Sequence, residues 1–125
     1  MSGSEVSEKR RGAVEGDRVM VALVTVPDME AGTRLAGKAV QEGLAACGNV
    51  IPGLTSIYRW EGEIHQDSES LIIFKTMESS LADLKMRVLE LHPYDVPEFL
   101  AFSIADGHLP YLQWVKGEVG EREAS

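Results

Sequence analysis

Val19-Met-Val-Ala-Leu-Val-Thr-Val26 decides the fold, because it is apolar at both alternating sets of positions. A strand with one wet face alternates apolar and polar residues, so this one reads as covered on both faces, by helices or by a second sheet. Pro27-Asp28 stops it and offers a carboxylate to start a helix. From Glu30 to Ala46 the residues Ala31, Leu35, Ala39, Val40 and Leu44 form one helical stripe. Cys47 to Trp60 is extended, with Pro52-Gly53 forcing a bulge or bend. Glu61-Gly62-Glu63 turns the chain into a second extended run ending in Leu71-Ile-Ile-Phe-Lys-Thr76, which completes a hairpin.

Ser79 or Ser80 is placed to cap the next helix, whose stripe is Leu81, Leu84, Val88 and Leu91, and Pro93 ends it. Phe99–Ile104 is the last main strand, and Asp106-Gly107 leads into a short helix holding Tyr111, Leu112, Trp114 and Val115. Strand, helix, strand, strand, helix, strand is the split βαβ order, an α+β ferredoxin-like βαββαβ fold with a C-terminal helix. Right-handed crossovers put both main helices on one face of a four-stranded antiparallel sheet. The other face would then be wet in a monomer, although Val19–Val26 and Leu71–Phe74 are apolar on both sides. An apolar sheet face of that size is an interface, and predicts self-association into a closed ring.

The 125 residues make one domain: a flexible tail over 1–18, the folded unit over 19–116 and a C-terminal tail over 117–125. A composition of 44% apolar and 26% charged residues excludes wholesale disorder and fibrous folds. No apolar run approaches the roughly 20 residues of a membrane span. Twenty acids against 12 bases give a net charge of −8, which argues against nucleic acid and anionic lipid as partners. RNA-recognition modules share this element order, but need a basic face and stacking aromatics that the central strands lack. Cys47 is the one cysteine, so no disulfide closes within the chain. The N-terminus carries no apolar stretch behind its basic residues, so the expected location is cytoplasmic.

No phosphate loop, serine elbow or zinc-protease helix is present, and the chain is read as a binding protein rather than an enzyme. Cys47 lies where a helix C-terminus meets a strand, and is either a buried structural thiol or a ligand. His65 and Asp67 share a strand face with Glu63 and Glu69, which is either a solvated, charge-guarded edge or a cation site. In His92-Pro-Tyr-Asp-Val-Pro-Glu98 two prolines hold an imidazole, a phenol and carboxylates in near-fixed relation. His92 there either caps its helix or serves a site.

Val24-Thr-Val-Pro-Asp28, Leu44-Ala-Ala-Cys47, Asn49-Val-Ile-Pro-Gly53, Ser56-Ile-Tyr-Arg-Trp-Glu-Gly62, Lys75-Thr76, His92-Pro-Tyr94, Pro97-Glu98 and Tyr111-Leu-Gln-Trp114 occur in this order. Together, over about residues 19–116, they resemble the divalent-cation-tolerance (CutA) family. The resemblance implies a homotrimer of ferredoxin-like subunits that binds divalent metal ions such as copper and contributes to the metal ion response. It implies a metal site at His92 and Glu98, and an inter-subunit cleft that also holds Cys47, Lys75, Tyr94 and Trp114. The family's histidine pair before Pro-Tyr is Leu91-His92 here, which predicts weaker copper binding. The architecture also resembles the trimeric PII signalling proteins. The alternative function is therefore a small-ligand or signalling module, its cleft taking an anion through Lys75 and Arg59.

Overall fold

The computed structural model describes residues 16–120; most of the expected N-terminal tail and the last five residues lie outside the described residues. Strand β1 (Val19–Val26) leads into helix α1 (Met29–Gln41), strands β2 (Cys47–Trp60) and β3 (Glu63–Met77), helix α2 (Leu81–Leu91), strand β4 (Leu100–Ser103) and helix α3 (Leu109–Glu118). The four strands form one antiparallel sheet in the order β2-β3-β1-β4. This is the expected α+β fold with its C-terminal helix.

Helix α1 starts at Asp28, whose carboxylate accepts the Ala31 amide at 2.8 Å. It ends at residue 41 and not at the expected 46, because Gly43 turns left-handed at φ 76° and Leu44 N–H bonds back to Ala39 O. Gly43 is thus the stop signal, and Ala45 and Ala46 are buried after it. The second helix differs in its cap. Neither Ser79 nor Ser80 caps α2 through its side chain; instead the Asp17 carboxylate accepts the Ser79 amide and hydroxyl, both at 2.9 Å. Arg18 pairs with Glu78 beside it, so the end of the expected tail is tied to the turn before α2.

The hairpin behaves as read. Glu61 and Gly62 both take positive φ, the geometry of a two-residue turn that matches strand twist. The β2–β3 register shifts between Ile51 and Leu54, where Gly53 sits at φ 83°. Helices α1 and α2 cover one face of the sheet: Ala22, Val24, Val26, Ile72 and Phe74 pack there with Leu35, Ala39, Leu84 and Val88.

The opposite face is defined by the pairs Val21↔Phe102, Leu23↔Leu100, Leu23↔Ile73 and Thr25↔Leu71. Helix α3 covers one end of it, where Val115 packs with Val19, Ala46 and Met77. Beyond that end the face is open, with Leu100 58% and Phe102 49% exposed.

Candidate functional site

The face left open by α3 changes character along β3. Lys75 stands at the covered end, Ile73 and Leu71 follow, and Glu69 and Asp67 continue the same alternation toward the hairpin. Across on β2, the register after the bulge sets Leu54, Ser56 and Tyr58 opposite Glu69, Asp67 and His65. The loop after α2 folds over this end. Together they enclose a cleft of about 610 Å³ walled by the rings of Tyr58, Trp60 and Tyr94. Asp67, Glu69, Asp95 and Glu98 line it, and among the described residues no lysine or arginine does.

The phenols are tied to the acids. Tyr94 Oη donates to Glu69 Oε2 at 2.7 Å, and Tyr58 Oη donates to Asp67. Burial, followed by the bond to Glu69, pushes the Tyr94 phenol far above its usual range. The bond to Asp67 pushes Tyr58 up as well. Both rings therefore stay neutral at physiological pH and act as donors that orient carboxylates. Tyr58 stacks on His65, with centroids 5.5 Å apart and planes at 19°. Of the strand-face group expected at 63, 65, 67 and 69, the cleft takes in Asp67 and Glu69.

His92 ends α2 as its C-cap and is buried, at 8% exposure. Its ring is held from both sides. Tyr94 N–H can only donate, so Nδ1 accepts it, at 3.1 Å. Thr25 O can only accept, so Nε2 carries the proton and donates, at 2.7 Å. The neutral Nε2–H tautomer is fixed by these two partners, and the ring presents no spare lone pair. Glu98 lines the cleft. Among the described residues, no three His, Cys, Asp or Glu side chains form a group that could hold a metal ion.

The remaining expected residues gather elsewhere. Cys47 and Lys75 are opposite one another in the β2–β3 register. The Cys47 thiol lies 3.8 Å from Tyr111 Oη, and Tyr111 contacts Trp114 at 5.7 Å between ring centroids. The Tyr111 phenol is pushed up by burial, then by its bond to the thiol. Lys75 Nζ donates to Asn49 Oδ1. Six residues of strand separate Lys75 from Glu69, roughly 20 Å. One chain thus carries two groups, Cys47–Lys75–Trp114 at the α3 end and Tyr94–Glu98 at the cleft, and does not bring them together.

Reading residue by residue singled out neither the Tyr58 and Trp60 walls nor the partnership of Tyr111 with Cys47. The first was available: a two-residue turn at Glu61-Gly62 sets Trp60, Tyr58 and Ser56 opposite Glu63, His65 and Asp67. The second joins residues 64 apart in sequence through the docking of α3, and left no local signal.

The profile of the CutA1 divalent ion tolerance protein family matches residues 20–118. The chain is 49% identical over 100 residues to the divalent-cation tolerance protein CutA of Thermus thermophilus, covering 80% of this chain and 97% of that one. It is 50% identical over 102 residues to the chloroplastic protein CutA 1 of rice, covering 82% of this chain but 58% of the rice protein. The solved structure of the divalent cation tolerance protein from Thermus thermophilus superposes with a TM-score of 0.80 at 48% identity, over 82% of this chain and 99% of that one.

Proposed function

Since the chain belongs to the CutA1 divalent ion tolerance family, we propose that it is a homotrimer that binds divalent metal ions, copper among them, and contributes to the response to those ions. The observation that carries this reading is the cleft, which among the described residues gathers four carboxylates and no basic side chain. Such a lining attracts cations and repels anions. It therefore favours a metal over the phosphorylated ligand of a PII-like module, since neither of the expected cations, Lys75 and Arg59, lines the cleft, and Lys75 is bonded to Asn49.

The donor set speaks to the kind of metal. Carboxylates are oxygen donors suited to hard divalent ions, while copper prefers imidazole and thiolate. Glu98 would supply one ligand from the cleft wall. Because no three such side chains among the described residues group closely enough to hold an ion, the rest of the coordination shell would come from water or a neighbouring subunit. Cys47, the one thiol, lies with the second group. A cleft containing both groups needs two chains, because roughly 20 Å of strand separates them within one. The open apolar face, with Leu100 and Phe102 at its edge, supports the same assembly. A binding rather than catalytic role, in the cytoplasm, belongs to this reading. No helix among the described residues is long and apolar enough to cross a membrane.

Native mass spectrometry, before and after addition of copper(II), zinc(II) and manganese(II), tests the proposal. The expected result is a trimer that takes up whole-number ions, with uptake reduced in Glu98→Gln. A trimer that stays metal-free overturns the metal reading, and a monomer overturns the assembly.

A further inference from the structure

The loop that forms one wall of the cleft runs from His92 to Glu98, and both of its prolines restrict it. Stiffness alone does not place a wall; the loop must also be attached. His92 makes the attachment. Its Nε2–H reaches the carbonyl of Thr25 near the end of β1, and its Nδ1 takes the amide of Tyr94 two residues on. The His92 and Tyr94 rings meet at 4.8 Å, and the Tyr94 hydroxyl then rests on Glu69 of β3. A continuous chain of contacts thus runs from β1 through the imidazole and the phenol to a cleft carboxylate.

We propose that His92 is a positioning residue for the cleft: it sets Tyr94, and through Tyr94 the Glu69 carboxylate, and is not itself a metal ligand. The inference rests on the cation reading of the cleft. Its physical basis is that a metal-binding imidazole needs a free lone pair, and here Nδ1 spends its lone pair on the Tyr94 amide while Nε2 holds the proton. Residues that orient ligands from behind commonly change metal affinity by about 10–100-fold when replaced.

Two amides separate the two bonds. Asparagine at 92 puts an acceptor where Nδ1 stands, and glutamine puts a donor where Nε2 stands. The expected result is that His92→Asn alone keeps slow exchange of the Tyr94 amide, and that His92→Gln and His92→Ala speed that exchange about tenfold in the metal-free protein. Each amide variant keeps one of the two bonds and should weaken copper(II) uptake less than His92→Ala, which should weaken it by about tenfold or more. Equal loss of uptake in all three variants, or no loss in any, overturns the proposal.

A second measurement does not depend on altering position 92. The chain has three histidines, so the His65→Asn/His108→Asn double variant carries His92 as its only imidazole. Electron paramagnetic resonance of copper(II) on that variant should show no imidazole nitrogen coupling; its presence makes His92 a ligand and overturns the proposal. If the wild type takes up no ion, the cation reading falls separately, and amide exchange alone decides whether His92 positions Tyr94.

Discussion

Along β1, the residues Ala22, Val24 and Val26 are fully buried, while Val21, Leu23 and Thr25 between them are only partly so. Along β3, Ile72 and Phe74 are fully buried and Leu71 and Ile73 are not. The two faces of the sheet carry similar apolar side chains, and differ in what lies against them. One face has two helices. The other has α3 at one end, an acid-lined cleft at the other, and uncovered apolar residues between. Side-chain chemistry therefore reports the surroundings a residue needs, and the burial of one chain reports only part of those surroundings. Where the two disagree, an interface is the simplest physical resolution.

The covered face should give the largest response. Phe74→Ala removes a fully buried ring and is expected to cost about 3–5 kcal/mol in denaturant unfolding at fixed protein concentration. A loss below about 1 kcal/mol would mean that the helix face is not the core. On the open face, Phe102→Asp is the sharper test. A side chain 49% exposed in a working monomer would tolerate the change to within about 0.5 kcal/mol. If the face is buried between subunits, the same change costs about 2 kcal/mol or more of association, and sedimentation should show smaller species. Unchanged sedimentation would separate the open face from the assembly.

Gly32 tests how closely the helix layer sits on the sheet. A Cβ there would lie 2.8 Å from Val50 Cγ1 and 3.1 Å from Val26 Cγ2. Two effects oppose in Gly32→Ala: the helix gains about 1 kcal/mol of propensity, and overpacking costs about 1–3 kcal/mol. The near neighbours are stiff β-branched side chains, so overpacking should win, with a net loss of about 1–2 kcal/mol by thermal or denaturant unfolding. A net gain would show that the layers can part.

These contrasts also mark what the sequence could disclose. The sheet order follows from hydrophobic period and the handedness of crossovers, both local or general rules, and the open face follows from the lack of alternation in Val19–Val26. Pro52-Gly53 and Glu61-Gly62 announced the bulge and the turn because backbone geometry there is written in residue type. The end of α1 was written in Gly43 in the same way, but lay inside an apolar stripe that continued to Leu44. Contacts between distant segments were not legible. Asp17 caps the turn at Ser79 across 62 residues, and His92 finds Thr25 across 67. In both cases the local alternative, a serine cap or a histidine that only caps its helix, was equally compatible with the sequence, and only tertiary placement selects between them.

The smallest expected effect lies in the cleft, where the open face turns polar. All three tyrosines, Tyr58, Tyr94 and Tyr111, have phenols pushed above the usual value of 10.0, Tyr94 most strongly. A group whose folded value is raised contributes stability that is fully present below its unfolded value, here near pH 10, and lost as pH rises through the folded value. Alkaline pH should therefore weaken the wild type above pH 10 as phenolates are forced beside Asp67 and Glu69. Tyr94→Phe keeps the ring and removes the titrating hydroxyl, so its stability should fall less steeply over that window, and its phenolate absorbance should lack the last-ionising step. At neutral pH the same change deletes one neutral donor from a carboxylate that water can reach, a loss of about 1 kcal/mol or less. If the alkaline slope is the same in both proteins, Tyr94 does not hold Glu69 in solution, and the cleft's acid wall must be set by the strand register of β3 alone.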